Sequence, residues 1–140
     1  IGEQVSGLYA RLFAALDAAG LRPAGPAFIA YPEEDFNPEA FILDVGVPVP
    51  PPRSLAQAAL KGSGAFAGLF KPCRAAVARV VGPYSTLTAA HAAVFAWLQE
   101  RGLTATSAPR EVYLIGPGMA EEAAFVTELV YPIGTPPPGR

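Results

Sequence analysis

Glu111 is an acid within an apolar segment, and packing alone does not explain it. It lies in the segment Arg110–Ile115 (REVYLI), whose apolar and aromatic composition is that of a β-strand. Side chains alternate across a strand, so Glu111 shares a face with Tyr113. The opposite face carries Val112 and Leu114 and suits packing under helices. The mixed face, with an acid beside a tyrosine, predicts a ligand cleft.

A carboxylate buried at this position needs a compensating charge. Burying it unpaired costs several kcal/mol, and a cationic ligand held by aromatic faces would offset that cost, adding about 0.5–2 kcal/mol per cation–π contact. Two alternatives stay open: Glu111 pairs with Arg79 or Arg110, or it points to water at a sheet edge. Alternation turns Arg110 to the opposite face. If the carboxylate is unpaired, the substitution Glu111→Gln is expected to keep stability or to raise it.

Further aromatic residues are candidates to line the same cleft. Tyr84 follows a Gly-Pro turn and either caps the cleft or packs on the start of a helix. Trp97 either belongs to the core or reaches round the sheet edge into the cleft. Phe36, in the acidic loop EEDFNP, is expected at its rim. His91, on a helical face, is interpreted as a satisfied core or surface histidine.

The composition excludes several classes of chemistry. One cysteine and one histidine among 140 residues cannot form an internal disulfide or an ordinary zinc site, so no metal and no cofactor are expected. The ten Lys and Arg residues are scattered along a chain of net charge −2, which argues against nucleic-acid contact. No apolar run approaches the roughly 20 residues that a membrane helix needs. A cytoplasmic location suits this composition.

The chain contains an internal repeat, which is seen when the sequence is shifted by 82 residues. The residues that the shift aligns share a helix, a glycine stop and a strand; they are Phe13 with Phe95, Leu16 with Leu98, Gly20 with Gly102 and Tyr31 with Tyr113. Ile29 is the equivalent of Glu111. The cleft is therefore expected to receive a tyrosine from each half but a single acid.

Periodicity predicts one helix and two strands in each half. Apolar residues at spacings of three and four predict helices around Glu3–Ala19 and Thr86–Arg101. The β-runs predict strands at Ala27–Tyr31, Phe41–Val47, Ala75–Val81, Arg110–Ile115 and Phe125–Tyr131. The second half thus has the order β-α-β-β, and consistency between the halves predicts a further strand upstream of Ile1.

The two halves are expected to form one domain over residues 1–133. Repeat one covers about 1–50, a connector about 51–74 and repeat two about 75–133. The connector opens with the proline-rich sequence PVPPPRS, and Leu55–Leu60 is predicted as a short helix. Residues 134–140 are expected to form a flexible tail.

Several short motifs of this chain are shared with one known family. They are the turn Gly82–Tyr84 between a strand and a helix, the strand motif Glu111–Tyr113, the terminal segment Thr127–Ile133 and the helical segment Phe95–Leu98. Together they resemble the GyrI-like domain, the effector-binding domain of bacterial transcription activators. The resemblance implies an α+β fold in which tandem β-α-β-β repeats form one curved antiparallel sheet, with two helices on one face and a ligand cleft on the other.

The resemblance also implies a range of functions. Members of the family bind lipophilic, often cationic drugs as effector domains of regulators, sequester toxins as stand-alone proteins, or hydrolyse cyclopropane-containing toxins. Binding of an aromatic or cationic small molecule around Glu111, Tyr113, Tyr31, Trp97, Tyr84 and Phe36 is favoured here over catalysis. In the hydrolase alternative, Glu111 orients water or acts as a base while Tyr113 or Trp97 supports the substrate. An attached or associated DNA-binding domain and a homodimer remain open.

Overall fold

The computed structural model describes residues 2–31 and 43–134. The chain divides into two compact units, the first formed by Ile1–Ala27 with Val45–Lys71 and the second by Phe28–Asp44 with Pro72–Arg140. The helices are α1 (Gly2–Ala19), α2 (Arg53–Ala59) and α3 (Leu87–Glu100), and the strands are β1 (Phe28–Ala30), β2 (Asp44–Gly46), β3 (Arg74–Val81), β4 (Arg110–Ile115) and β5 (Val126–Ile133). Both long helices and all five strands lie within a few residues of their predicted positions.

The strands form one open sheet in the order β2-β1-β4-β5-β3. Strand β4 pairs antiparallel with β1 on one side and with β5 on the other, and β5 pairs antiparallel with β3. The second repeat therefore has the predicted order, β3-α3-β4-β5. The predicted α+β class with an antiparallel sheet is confirmed.

The register of β1 against β4 agrees with the internal repeat. Ile29 on β1 lies directly opposite Glu111 on β4, and these two positions are the ones that the shift of 82 residues makes equivalent. On either side of this pair, Phe28 faces Val112 and Ala30 faces Arg110. A twofold axis relating the two strands therefore passes through the Ile29–Glu111 pair, which puts the single acid at the symmetry centre.

Both long helices end in the same way, as their shared Gly-Leu sequence predicts. Gly20 and Gly102 adopt positive φ angles of 72° and 64°, a conformation that glycine enters without a Cβ clash. The following amides then turn back on their helices, Leu21 onto the Leu16 carbonyl and Leu103 onto the Leu98 carbonyl, each at 2.9 Å. At the start of α3, the Thr86 hydroxyl donates to the Pro83 carbonyl at 2.8 Å and does not cap the helix.

The core of the second unit lies between α3 and one face of the sheet. It is built from Leu87, Val94 and Leu98 of α3 and Leu129, Tyr131 and Ile133 of β5. Residues opposite each other in antiparallel strands project to the same face, and Glu111 lies opposite Leu129. Helix α3 therefore covers the Glu111 face of β4. For this helix the assignment of faces from alternation was wrong, because it required the apolar face, with Val112 and Leu114, to be the one under the helices.

The first unit has its own buried residues, which are Leu16 of α1 together with Ala56 and Leu60 in and after α2. Helix α2 covers most of the predicted Leu55–Leu60 segment and starts two residues earlier. After α2, the Ala67 amide donates a hydrogen bond to Gln57 Oε1 at 2.8 Å, which joins the following segment to the helix. None of the helices in the described residues is long and apolar enough to cross a membrane. Phe36, the first part of the Phe41–Val47 strand and most of the predicted tail lie outside the described residues.

Candidate functional site

The centre of the site is the carboxylate of Glu111, which is buried in the middle of the sheet. Its residue is only 7% exposed, because β4 lies between β1 and β5 and α3 covers this face. The sequence analysis favoured an unpaired carboxylate, but in the structure the carboxylate is paired. Three side chains bind it, and each comes from a different element of the second unit.

Two tyrosines share one oxygen of the carboxylate. Tyr113, two residues further along β4 on the same face, donates its hydroxyl to Glu111 Oε1 at 2.6 Å. Tyr31, just after β1, donates to the same oxygen at 3.4 Å. Tyr31 and Tyr113 are the equivalent tyrosines of the two repeats, so the pseudo-twofold brings both hydroxyls to the one acid. The predicted grouping of these three residues is found in the structure.

The other carboxylate oxygen is hydrogen-bonded to His91 of α3. Its Nε2 lies 2.7 Å from Glu111 Oε2, and its Nδ1 is hydrogen-bonded to the Tyr131 hydroxyl of β5. An ionised carboxylate can only accept, so Nε2 carries a proton and donates it to this bond. Nδ1 accepts from the Tyr131 hydroxyl when the ring is neutral and donates to that oxygen when the ring is protonated.

This set of donors keeps Glu111 in its charged form. Burial alone raises the pKa of a carboxyl group, since a charge is poorly solvated in the protein interior. The hydrogen bonds from His91 and Tyr113, the charge of His91 and the weaker bond from Tyr31 outweigh burial, and the pKa of Glu111 is lowered. Glu111 is therefore an ionised carboxylate at neutral pH.

Tyr84 forms the aromatic border of the site. Its ring packs edge-on against Tyr113, with centroids 5.3 Å apart, and lies 5.1 Å from the ring of Phe125. Its hydroxyl lies so close to Gly116 that a Cβ at that position would be 2.7 Å from the oxygen. Tyr84 is still 38% exposed, so part of this ring faces solvent beside the buried carboxylate. Burial, and secondly the charge of Glu111, raise the pKa of Tyr84, and Tyr131 is affected in the same way.

One buried polar group beside the cluster is left unsatisfied. Thr127 on β5 lies directly opposite Tyr113 and is 1% exposed. Within the described part of the chain, its hydroxyl has no hydrogen-bond partner. A hydroxyl buried in this way is destabilising, because it has lost its hydrogen bonds to water without replacing them.

The remaining sequence predictions for this region have different outcomes. Trp97 is 42% exposed on α3, and the guanidinium of Arg101 lies 4.1 Å from the centre of its ring, so Trp97 is not a core residue. Arg79 pairs with Glu128 at 2.8 Å, which rules out its pairing with Glu111. The low exposure of Glu111 likewise rules out a carboxylate that points to water.

His91 and Tyr131 are the two members of the cluster that sequence reasoning missed. Both had a signal in the sequence. His91 lies three and seven residues before Val94 and Leu98, on the same buried stripe of α3. Tyr131 is two residues from Leu129 on β5 and so shares its face, which is also the face of Glu111. The sequence analysis interpreted His91 as a satisfied core or surface histidine; both ring nitrogens are hydrogen-bonded, and one of these bonds joins the helix to the acid.

Comparison with known proteins places this fold among solved structures. A family model described as a GyrI-like small molecule binding domain matches residues 1–133. No curated protein sequence matches the chain. The crystal structure of the EcmrR C-terminal domain is similar with a TM-score of 0.83 at 17% identity, covering 97% of this chain and 85% of that chain.

Two further solved structures share the fold. EcmrR in a cryo-EM structure of its DNA complex gives a TM-score of 0.70 at 20% identity, covering 84% of this chain and 42% of the EcmrR chain. The crystal structure of a hydrolase from Listeria innocua gives 0.64 at 16% identity, covering 90% and 79%. At these identities the likeness concerns the fold alone.

Proposed function

Because the chain belongs to the family of GyrI-like small-molecule-binding domains, we propose that it binds lipophilic aromatic cations beside the carboxylate of Glu111. The ligand lies against the rings of Tyr84, Tyr113 and Tyr31, and its positive charge is directed toward the acid. The family assignment supports the binding of a small molecule. The charge and aromatic character of the ligand are proposed from the site itself.

The observation that carries the proposal is the buried negative charge. Glu111 is held as a carboxylate, with a lowered pKa, by two neutral phenols and an imidazole. Phenols stabilise the charge by hydrogen bonding without neutralising it. The field of this carboxylate is weakly screened, because little water surrounds it. A monocation that displaces water from the rim is therefore attracted, whereas a neutral molecule of the same shape is not.

The aromatic rim supplies the apolar part of the recognition. Tyr84 presents a partly exposed ring that is braced by Tyr113 and Phe125. A planar aromatic cation gains burial of its own surface on these rings and a cation–π contribution of about 0.5–2 kcal/mol. The two contributions favour the same class of ligand, one that is flat, apolar and positively charged.

The biological setting that we propose is the effector domain of a transcription regulator. The support is the likeness to the EcmrR C-terminal domain and to EcmrR in its DNA complex, which is an analogy of fold. Contacts with DNA would then be made by a DNA-binding domain fused to or associated with this one. A stand-alone drug-binding protein would use the same site.

A matched pair of ligands tests the binding proposal. N-methylquinolinium is a permanent aromatic cation, and 1-methylnaphthalene is its neutral isostere. Glu111→Gln keeps the size of the side chain and removes its charge, so the cation should lose about 1–3 kcal/mol of binding free energy, roughly 5- to 150-fold in Kd. The neutral ligand should lose much less. Calorimetric titration of both ligands into wild type and variant measures the difference.

Glu128→Gln is the matched control for this experiment. Glu128 lies on the neighbouring strand opposite Val112 and pairs with Arg79 on the other face of the sheet. This control removes one carboxylate without touching the site, and it should leave the affinity for the cation nearly unchanged. Equal losses of both ligands in Glu111→Gln would mean that Glu111 only shapes the site. No loss of either would mean that the ligand binds elsewhere.

The contact between His91 and Glu111 favours one second candidate, a hydrolase of strained electrophiles such as cyclopropane-containing toxins. A carboxylate with a lowered pKa is a weak base, so Glu111 would orient the attacking water more than deprotonate it. Tyr113, already bound to this carboxylate, would support the substrate. If wild type consumes such a compound and Glu111→Gln binds it normally without consuming it, the enzymatic reading replaces the binding one.

A further inference from the structure

His91 competes with a cationic ligand for the same negative charge. Its Nε2 is 2.7 Å from Glu111 Oε2, and its Nδ1 is held by the Tyr131 hydroxyl. Both ring nitrogens are therefore hydrogen-bonded, and the imidazole cannot turn away from the acid without losing two bonds. A neutral imidazole leaves the charge of the carboxylate uncompensated, and a protonated imidazole cancels it. The net charge of the His91–Glu111 pair is thus −1 or zero, depending on one proton.

We infer that His91 is the residue that sets the charge of the ligand accepted by this site, because an aromatic cation can bind at full affinity only when His91 is neutral. The inference rests on the proposed function and deepens it. Protonated His91 neutralises Glu111, and the site then offers only its aromatic surfaces. Neutral His91 leaves the charge of the carboxylate uncompensated by any described member of the cluster, and the site prefers a cation.

The physical basis is the repulsion between two positive charges at one carboxylate. A like charge within a few ångströms disfavours the protonated form of a titratable group. A bound cation therefore favours loss of the His91 proton, and by reciprocity the proton weakens the binding of the cation. The ligand and the proton exchange with each other, so binding of one cation releases up to one proton to the solvent.

Among the described residues, Glu111 is the charged group that contacts His91 directly. The residues of β3 that pack against this core are Ala76, Ala78 and Val80, none of which titrates. In the described part of the chain, the other titratable side chains placed at the cluster are the phenols of Tyr31, Tyr84, Tyr113 and Tyr131. Burial and the charge of Glu111 raise the pKa of Tyr84 and of Tyr131, so both phenols stay neutral near neutral pH. Arg79 of β3 is bound to Glu128 on the opposite face of the sheet.

The expected dependence on pH has a definite sign. As pH rises through the range in which His91 loses its proton, the affinity for N-methylquinolinium increases by up to tenfold per pH unit and then levels off, because one proton is exchanged. N-methylquinolinium is quaternary, so its own charge does not change with pH. The neutral 1-methylnaphthalene should bind with nearly the same affinity throughout.

The release of the proton can be measured directly by calorimetry. Titrations of the cation between pH 5.5 and 8 are repeated in buffers with different heats of ionisation, and the slope of binding heat against buffer heat gives the number of protons. Wild type should release a fraction of a proton wherever His91 is protonated before binding, and this fraction should fall as pH rises. His91→Gln keeps an N–H donor for Glu111 but cannot titrate, so its proton release and its pH dependence should disappear. Glu128→Gln should behave as wild type.

A second measurement needs no variant. His91 is the sole histidine among the 140 residues, so its imidazole resonances in an NMR titration are unambiguous. Saturating N-methylquinolinium should move the midpoint of that titration to lower pH, and 1-methylnaphthalene should not move it. Proton release that survives His91→Gln, or a midpoint that the cation leaves in place, would overturn the inference.

The two proposals fail in different ways. If the cation binds and needs Glu111, but its affinity is flat with pH and no proton is released, the role given to His91 is wrong and the proposed function stands. If the cation does not bind at any pH, or binds equally well to Glu111→Gln, the proposed function is wrong and the inference about His91 falls with it.

Discussion

Replacing Glu111 by glutamine should destabilise the protein, which is the opposite of what the sequence alone suggested. An unpaired buried carboxylate would be relieved by losing its charge. This carboxylate instead accepts hydrogen bonds from Tyr113 at 2.6 Å and His91 at 2.7 Å, with a longer one from Tyr31. The amide of glutamine accepts through its oxygen only, so its NH₂ group faces either His91 or the tyrosine hydroxyls, and that hydrogen bond is lost unless the partner changes from donor to acceptor.

The magnitude follows from the two short bonds. A hydrogen bond to a charged group contributes about 1.5–3 kcal/mol and a neutral one about 0.5–1.5 kcal/mol, so two bonds lose roughly 2–3 kcal/mol together. Burying an amide costs less than burying a carboxylate, which offsets part of this loss. The net decrease in the free energy of unfolding at pH 7 should be about 1–3 kcal/mol. For a chain of this size, that corresponds to a fall of roughly 3–10 °C in Tm.

The difference between wild type and Glu111→Gln should depend on pH. The folded-state pKa of Glu111 lies below the ordinary value for glutamate. A group with a lowered folded pKa stabilises the fold fully above its unfolded pKa, which is about 4.3, and loses this contribution as pH falls through the folded value. The difference should therefore be complete at pH 7 and shrink below about pH 4.

Urea unfolding followed by circular dichroism at pH 7, 5 and 3 measures these quantities. Glu128→Gln serves as the control, since its ion pair with Arg79 has side-chain exposures of 25% and 63%, and exposed pairs contribute only about 0–1 kcal/mol. A Glu111→Gln protein that is as stable as wild type at pH 7 would refute the reasoning. So would a destabilisation that is the same at pH 3 as at pH 7, because that loss would not come from the charge.

Two further predictions concern the surroundings of the acid. Thr127→Val should raise the free energy of unfolding by about 1 kcal/mol, because it removes a buried hydroxyl that has no partner in the described residues; a clear loss in thermal unfolding would show that the hydroxyl is satisfied. Gly116→Ala should push the Tyr84 ring aside, since the new Cβ would lie 2.7 Å from its hydroxyl, and should weaken N-methylquinolinium binding several-fold in calorimetry. Gly7→Ala, at an open position of α1, is the control, and it should stabilise by up to about 1 kcal/mol without changing affinity. An unchanged affinity in Gly116→Ala would mean that Tyr84 takes no part in binding.

Local patterns in the sequence were sufficient to predict the elements of this fold. The glycines at 20 and 102, each followed by leucine, marked the ends of both long helices, because that conformation depends on the residue itself. Strand β4 was predicted with its observed bounds, Arg110–Ile115. The repeat then predicted that Tyr31 and Tyr113 share the environment of Glu111, since equivalent positions in paired strands are related by symmetry.

Which face of the sheet meets a helix was decided only by the tertiary structure. Alternation along β4 separates Glu111 from Val112 but carries no information about what covers either side. The polar face of β4 lies under α3, where His91 donates a hydrogen bond to the buried acid at 2.7 Å. The two residues are twenty positions apart in sequence, and their approach depends on how the whole helix packs on β5.

The same physical reason explains the rest of the site. Tyr31 reaches Glu111 across 80 positions of sequence, and Tyr131 reaches His91 across 40. The type of each residue determines which hydrogen bonds its side chain can donate or accept, and the sequence gives that type. Whether the carboxylate is unpaired or satisfied depends on distances of a few ångströms between separate elements, and only the packing of those elements sets them. The sequence by itself therefore predicted that Glu111 shares a face with tyrosines of both repeats, and the tertiary structure decided which partners keep it charged.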